Sequence, residues 1–172
     1  MRRYETIRLI KYHLSTMKPV KLDDIDKQIL RILQLEGRIS NKELATRINL
    51  TTTPTLERVR RLEREGVIAS YEAKVDPKAV NMGLNAFVTV TLNAHRLQML
   101  DEFTSAVKAI PEILACYNTT GDGDFLLHIV ANDVEDYEHL VRTKLATLPD
   151  VQRLYTSIVL NVIKEQTNIP IL

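Results

Sequence analysis

The chain has 172 residues, of which 45% are apolar and 26% are charged, and its formal net charge is +1. This length is enough for one large domain or for two small domains that each bury a core. No apolar run approaches the roughly 20 residues that a membrane span needs, and the N-terminus lacks the charged, apolar and small-residue order of a secretory signal. We therefore expect a cytoplasmic protein with no membrane partner.

The charges are distributed unevenly along the chain. Residues 1–66 contain 15 Lys and Arg against 9 Asp and Glu, a net charge of +6, whereas residues 67–172 contain 8 against 13, a net charge of −5. A basic first part followed by an acidic remainder indicates that the first part meets a polyanion such as nucleic acid.

Residues 1–20 form an N-terminal extension that precedes any regular apolar pattern. The first 18 positions hold five basic side chains and one acidic side chain. Two interpretations stay open for this segment. It is a basic arm, helical or disordered, or it is translated from a start codon placed too far upstream, because Met17 lies just before the regular pattern begins.

Residues 21–66 have the pattern of three short helices. Apolar side chains recur at three- and four-residue steps from Leu22 to Leu33, and Gly37 ends this first helix. Ser40 and Glu43 have the spacing of a capping box at the start of the second helix. Asn49 follows it and tolerates a left-handed turn, so a tight turn joins the second helix to the third.

The third helix is predicted to begin at Thr51 or Thr52 and to end at Gly66. Pro54 fits there because the first turn of a helix has amides without intrahelical partners. The side chains predicted to face the first two helices are Leu56, Val59 and Leu62. The other face of the helix is left to threonines and arginines.

A helix-turn-helix unit with such a third helix is typical of DNA-binding proteins. The major groove admits one helix, and the residues near the N-terminal end of that helix reach the base edges. We expect Thr53, Thr55 and Arg58 to contact bases. The arginines farther along the helix, with Ser40, Asn41, Lys42 and Arg47, are expected to contact phosphates. The predicted DNA-binding residues are Ser40, Asn41, Lys42, Arg47, Thr51, Thr52, Thr53, Thr55, Glu57, Arg58, Arg60, Arg61 and Arg64. The alternative is a solvated helix face whose acids and bases pair with one another.

The segment 67–83 is predicted to be a wing or linker. Apolar and polar residues alternate over 67–76, which indicates a strand, and Pro77 closes it. The loop of Asn81, Met82 and Gly83 is the predicted domain boundary.

Residues 84–168 show the order βαββαβ of a ferredoxin-like domain, and a tail follows over 169–172. The predicted elements are a strand over 84–93, a helix over 97–110, strands over 113–120 and 125–132, a helix over 133–148 and a strand over 151–165. Two helices cover one sheet face, so the other face needs a partner. The simplest partner is a second copy of the chain, and we therefore expect a dimer.

The loop between the second and third strands has two glycines and two carboxylates. Its residues are Thr119, Thr120, Gly121, Asp122, Gly123 and Asp124. Glycines let backbone amides line a concavity and carboxylates accept an ammonium group, so a small zwitterion fits both groups. The alternative is a hairpin turn that needs Gly and Asp for its dihedral angles. The loop offers too few oxygen ligands for a calcium or magnesium site.

The strings ISNKELATRINL, TPTLERVRRLEREGVI and LPDVQRLYTSIVL, with the G-D-x-D loop, closely resemble the Lrp/AsnC transcriptional regulators, also called feast/famine regulators. The resemblance spans roughly residues 20–170. It implies an α+β chain with an N-terminal winged helix-turn-helix and a C-terminal amino-acid-responsive domain. It also implies dimers that assemble into octamers or similar rings, with leucine or methionine bound between dimers near the G-D-x-D loop.

Several positions match the motifs of that family. Gly121, Asp122 and Asp124 match the effector loop, and Thr156 with Ser157 matches a segment of the last strand close to it. The matches to the recognition helix are Thr53, Pro54, Leu56, Glu57, Arg58, Val59, Arg60 and Arg61. Two departures stand out: Asn49 and Thr52 replace a frequent Gly and Pro, and Gly123 replaces a larger residue. We expect the second change to enlarge or loosen the effector pocket.

Two other functions compete with a ligand-responsive DNA-binding regulator. Sirohaem decarboxylases are similar to Lrp/AsnC proteins in fold, but such an enzyme needs a positioned acid or base. The four histidines are scattered without a partner pattern, so we expect no catalytic residue, no metal and no cofactor other than an amino acid effector. The third possibility is an amino-acid-sensing oligomer without DNA binding, which retention of duplex DNA with a steep salt dependence would exclude.

Overall fold

The structure is a computed structural model that describes residues 20–93, 97–165 and 168–172. These residues form two compact units. The first consists of residues 20–73 with 168–172, and the second consists of residues 74–165. The N-terminal arm predicted over residues 1–18 lies outside the described residues. In the part of the chain that is described, no helix is long and apolar enough to cross a membrane.

The first unit contains the three predicted helices, α1 (Asp24–Leu35), α2 (Asn41–Arg47) and α3 (Thr52–Arg64). The caps follow from the sequence. Asp23 caps α1 and forms a reciprocal capping box with Asp26, and the Ser40 hydroxyl accepts the N–H of Glu43 at the start of α2. Asn49 has φ 55° in the turn before α3. Its left-handed conformation produces the tight turn that the sequence predicts.

The three helices pack around one apolar core. Its buried residues are Ile29, Leu30, Leu44, Ile48 and Leu62. Helix α3 faces this core with Val59 and Leu62, as predicted, but Thr55 is completely buried in place of the predicted Leu56, which is 37% exposed. Thr55 precedes Leu62 by seven residues, or about two turns, so the two residues share a helix face. The Thr55 hydroxyl donates to the Thr51 carbonyl at 2.9 Å, which satisfies it in the core.

The predicted strand over residues 67–76 is wrong. This segment forms no strand, and it leads into a 3₁₀ helix, Pro77–Val80, that Asp76 caps. A strand needs a second strand to complete its hydrogen bonds, and no described strand of the chain pairs with these residues. The Tyr71 hydroxyl instead donates to Glu63 of α3 at 3.0 Å, which attaches the segment to the first unit.

Residues 168–172 pack on helix α1, which the sequence did not predict. The Gln34 side chain accepts the N–H of Ile169 at 2.6 Å and donates to its carbonyl at 3.1 Å. Arg31 donates to the carbonyl of Ile171 at 2.9 Å, and the Ile171 side chain packs against the core of the first unit. The tail is therefore part of that unit.

The second unit is an α+β domain with one antiparallel sheet, so the predicted ferredoxin-like fold is confirmed. In chain order its elements are β1 (Leu84–Leu92), α4 (Leu97–Lys108), β2 (Ile113–Asn118), β3 (Phe125–Ala131), α5 (Val134–Thr143), a 3₁₀ helix (Leu145–Thr147) and β4 (Val151–Ile158). The strand order is β2-β3-β1-β4. Alternate residues of β1 and β3 join Phe103 and Leu145 in the core beneath the helices.

Strand β4 ends seven residues before the predicted limit at Glu165. Ile158 pairs with Ala86, and the Val159 N–H donates to the Asn85 carbonyl at 2.8 Å. Strand β1 begins at Leu84, so it offers almost no further strand backbone to the residues after Val159.

The second face of the sheet carries aromatic side chains. Phe87 stacks on His128 with ring centroids 4.9 Å apart, and His128 Nε2 is 2.8 Å from Asn85 Oδ1. Tyr117 and Tyr155 on the outer strands are more than half exposed. These residues belong to the set that alternates with the buried one, so they lie on the face away from the helices.

Candidate nucleic-acid interface and effector loop

The outward side of helix α3 is a polar stripe, which we call the α3 stripe. It consists of Thr53, Glu57, Arg60 and Arg64, all of which are exposed. Their spacing of four, three and four residues places them along one face of the helix. Thr51 and Thr52, at the start of the helix, are exposed as well. The stripe therefore offers hydroxyls near the N-terminal end and guanidinium groups farther along.

Thr55 does not belong to the α3 stripe, and its predicted contact with bases is wrong. Its side chain is fully buried, and its hydroxyl is bonded within the helix. A buried side chain cannot reach a base edge.

Arg58 and Arg61 also point away from the stripe, toward helix α1. Arg58 Nη1 donates to Asp23 Oδ2 at 2.6 Å and to Asp26 Oδ1 at 2.9 Å, and Arg61 Nη2 donates to Asp26 Oδ2. These carboxylates, Asp23 first, raise the pKa of the Arg58 guanidinium. The side-chain contacts in the structure do not support the prediction that Arg58 contacts bases.

The ion pairs of the two aspartates with α3 were not predicted from the sequence. Asp23, the cap of α1, and Asp26 are spaced by three residues, and Arg58 and Arg61 are spaced by three on α3. Because the two acids and the two bases have the same spacing, the sequence did contain a signal for ion pairs between the helices.

The predicted residues of helix α2 combine surface and structural roles. Asn41 Nδ2 donates to the Thr52 carbonyl at 2.8 Å and so joins α2 to the start of α3. Arg47 forms ion pairs with Glu36 at 2.5 Å and with Glu43 at 2.6 Å, and these bonds raise the pKa of Arg47. Lys42 is exposed. Lys42 is thus available to a phosphate, while the charge of Arg47 is shared with two carboxylates.

The loop 119–124 joins β2 to β3 and is bonded to the end of β1. The Asp124 N–H donates to the Val90 carbonyl at 2.8 Å, and the Asp124 carboxylate accepts the Leu92 N–H at 2.8 Å. The Thr119 N–H donates to the Asp124 carbonyl at 3.0 Å. Asp122 is exposed at the tip of the loop. One carboxylate therefore fastens the loop to the sheet, and the other faces solvent.

Within the single chain, Gly123 opens no space beside the loop. A Cβ atom at this position would overlap Thr89 Cγ2 and would lie 3.2 Å from the Val90 carbonyl oxygen. The space that a larger residue would occupy is filled by β1. Glycine is needed here because the loop and the strand approach so closely.

Thr156 and Ser157 are not brought to this loop within the single chain. They pair with Val88 and Phe87 of β1, and β1 separates them from β3. Thr156 shares a hydrogen bond of 2.6 Å with the Tyr137 hydroxyl on the helix side of the sheet. The residues of the predicted effector site thus form two groups in the described chain.

Among the described residues, no group of three or more His, Cys, Asp or Glu side chains could hold a metal ion. The arrangement offers a helix with an exposed polar stripe in the first unit and a sheet with a polar loop in the second.

A family model for the Lrp/AsnC ligand binding domain matches residues 85–169, and a model for winged helix-turn-helix DNA-binding matches residues 22–69. The leucine-responsive regulatory protein of Klebsiella pneumoniae is 41% identical over 158 residues, which cover 91% of this chain and 96% of that protein. The Escherichia coli K12 protein of the same name is 40% identical with the same coverage.

Two solved structures are similar over almost their whole length. A transcriptional regulator from Neisseria meningitidis in complex with L-methionine has a TM-score of 0.84 and 36% identity, covering 87% of this chain and 97% of its own. A feast or famine regulatory protein from M. tuberculosis, complexed with L-methionine, has a TM-score of 0.77 and 33% identity, covering 86% and 97%. The chain therefore belongs to the Lrp/AsnC family of DNA-binding transcriptional regulators, which have an amino-acid-binding domain and a non-enzymatic role.

Proposed function

We propose that the protein binds double-stranded DNA through the α3 stripe and that a small amino acid, leucine or methionine, controls this binding. The observation that carries the DNA contact is the exposed row of Thr53, Glu57, Arg60 and Arg64 on the third helix of a helix-turn-helix unit. In this geometry Thr52 and Thr53 reach base edges, and Arg60 and Arg64 bind phosphates. Ser40, Asn41, Lys42, Arg47 and Thr51 flank the stripe at the backbone of the duplex.

The test of the DNA contact is the salt dependence of binding. Each phosphate contact contributes about 0.9 to the slope of log K against log salt concentration. We expect Arg60→Ala and Arg64→Ala each to lower that slope by about 0.9 for every half-site bound, and Thr53→Ala to reduce discrimination between target and random duplexes. Unchanged slopes in both arginine variants would remove the α3 stripe from the interface.

Self-association is the second part of the proposal. The sheet face that bears Phe87, Tyr117 and Tyr155 lies away from the helices, and aromatic side chains are enriched in protein interfaces. A second copy would bury this face in a dimer, and dimers would assemble further into octamers, as the family resemblance implies. Light scattering of wild type and of Tyr155→Asp tests this step, because a charge in the interface is expected to lower the assembly size. A wild-type protein that scatters as a monomer at micromolar concentration would contradict it.

The effector is proposed to be leucine or methionine. The relatives named above are called leucine-responsive, and two similar structures contain L-methionine. The residues proposed to surround it are Thr119, Thr120, Gly121, Asp122, Gly123, Asp124, Thr156 and Ser157. In one chain these residues are divided by β1, so a complete site would combine groups from neighbouring copies. A thermal-shift screen against the twenty amino acids tests this step, since a ligand at 100 times its dissociation constant adds about 2.7 kcal/mol to the free energy of unfolding.

The proposed mechanism couples the two activities through assembly. Each dimer presents two copies of α3 to half-sites about one helical turn of DNA apart. Amino acid bound between copies changes the geometry of the assembly and therefore the half-sites that are engaged together. Linkage then requires DNA to change the affinity for the amino acid by the same factor. Calorimetry of the amino acid with and without a target duplex measures that factor.

A further inference from the structure

The buried carboxylate of Asp26 is the most unusual group in the first unit. Its side chain is 1% exposed, and it accepts hydrogen bonds from Arg58, from Arg61 and from the N–H of Asp23 at 3.1 Å. Burying an ion is unfavourable unless partners of opposite charge and further hydrogen bonds compensate it. Here both partners come from helix α3. The triad formed by Asp26, Arg58 and Arg61 is therefore an ionic connection between α1 and α3.

The triad restricts how α3 can rotate about its own axis. Arg58 and Arg61 are spaced by three residues, so both guanidinium groups extend from the same side of the helix. One fixed carboxylate on α1 holds both of them. Rotation of α3 in either direction would lengthen these bonds and leave charges buried without partners, whereas apolar contacts such as that of Leu62 are not directional.

The triad also affects which arginines are available to contact DNA. Helix α3 has four arginines, but Arg58 and Arg61 point toward α1, and their side chains are 29% and 34% exposed. Arg60 and Arg64 are exposed on the stripe. A guanidinium engaged by a buried carboxylate must break that bond to reach a phosphate, at a cost that a free guanidinium does not incur.

We infer that Asp26 is a positioning residue for DNA recognition: it holds Arg58 and Arg61 so that the α3 stripe faces the groove, and these two arginines do not bind DNA themselves. This inference rests on the proposed role of the stripe. In this view Arg58 and Arg61 orient helix α3. If they contacted phosphates instead, replacing them would lower the salt slope of DNA binding.

The test compares Asp26→Asn with an apolar replacement of the whole triad, Asp26→Leu with Arg58→Met and Arg61→Met. Both are measured in the full chain, with a target duplex and a random duplex, at a temperature where circular dichroism shows each variant folded. For Asp26→Asn we expect the ratio of target to random affinity to fall about tenfold or more, because Arg61 loses its carboxylate partner and becomes available to any phosphate, while Arg58 keeps only its bond to Asp23. The slope of log K against log salt concentration for Asp26→Asn is expected to equal that of wild type or to be steeper.

The apolar triad is the rescue variant, since buried ion pairs can be replaced by packed apolar side chains of similar volume. We expect it to restore the affinity ratio to within about threefold of wild type and to keep the wild-type salt slope. A slope that falls by about 0.9 for each replaced arginine would show phosphate contacts and would overturn the inference. An unchanged affinity ratio in folded Asp26→Asn would overturn it as well, because a role in stability alone would not alter discrimination.

Two further variants keep the test decisive. If the apolar triad does not fold, Arg58→Met alone retains the bond between Arg61 and Asp26, and the inference requires it to keep the wild-type slope. Arg60→Ala tests the proposed function separately. A wild-type slope in Arg60→Ala would remove the stripe from the interface, whereas a reduced slope in Arg58→Met would overturn only the inference about the triad.

Discussion

The carboxylate of Asp124 accepts the backbone N–H of Leu92 at 2.8 Å, at the point where the pairing of β1 with β4 shifts register. The Leu92 amide lies two residues beyond Val90, the last residue of β1 that pairs with β3, and a side chain of the neighbouring loop satisfies it. The residue proposed for effector binding is thus also a structural residue of the sheet.

Asp124→Ala and Asp124→Asn should separate these two roles. Alanine removes the acceptor for the Leu92 amide, and we expect the free energy of unfolding to fall by about 1–3 kcal/mol. Asparagine keeps an oxygen acceptor but removes the charge, so stability should stay within about 0.5 kcal/mol of wild type while the thermal shift with the amino acid is lost. A normal amino acid response in Asp124→Asn would contradict the proposed site.

Gly123→Ala should destabilise the second unit by about 1–3 kcal/mol, because the added methyl group overlaps Thr89 Cγ2. Removing that methyl group in Thr89→Ala should relieve most of the overlap. We therefore expect the double variant to be more stable than the sum of the two single changes predicts. Urea unfolding of the four proteins measures this coupling, and strict additivity would show that the contact is not the cause.

Thr53 and Thr55 are two residues apart, yet replacing them should change different properties, DNA discrimination for Thr53 and stability for Thr55. Thr55→Ala removes a fully buried side chain and its hydrogen bond to Thr51, so we expect about 1–2 kcal/mol of lost stability with an unchanged salt slope of DNA binding. Thr53→Ala should leave stability within about 0.5 kcal/mol and weaken target discrimination. The comparison uses thermal unfolding beside DNA titrations, and equal losses of stability would contradict the burial of Thr55.

Glu112 should stabilise the second unit in a pH-dependent manner. The Lys144 ammonium, 2.5 Å from its carboxylate, holds the pKa of Glu112 below the ordinary value of 4.5. Because the unfolded chain takes up the proton first as the pH falls, the contribution is complete above pH 4.5 and is lost through the lower folded pKa. We expect Glu112→Gln to cost about 0.5–1 kcal/mol at pH 7 and to approach wild type in acid. The matched control is Glu138→Gln, which changes an exposed glutamate. A stability difference between Glu112→Gln and wild type that grows as the pH falls would contradict this assignment.

Local sequence signals predicted much of the fold. The apolar steps from Leu22 to Leu33, the cap at Ser40 and the left-handed Asn49 are properties of neighbouring residues, and each appears in the structure. The order βαββαβ is also confirmed, since the strands of the second unit alternate buried and less buried residues. Such features depend on periodicity and backbone preference, which a single sequence contains.

The errors concern features that depend on distant partners. The strand predicted over 67–76 and the last part of the strand predicted over 151–165 have alternating or apolar residues, but no described strand completes their pairing. Thr55 has a polar side chain, so its burial depends on the bond that its hydroxyl makes to Thr51. The contact between Asp26 and Arg61 joins residues that are 35 apart in sequence. The α3 stripe was therefore predicted only in part.

The attachment of residues 168–172 to helix α1 affects the order in which the chain matures during synthesis. Gln34 and Ile169 are 135 residues apart, and the whole second unit is translated between them. At about 5–20 residues per second, a ribosome needs roughly 7–27 s to cover that distance. During this interval the nascent DNA-binding unit has its three helices but lacks the segment that covers α1. The first unit should therefore be completed late, after the second unit has been made.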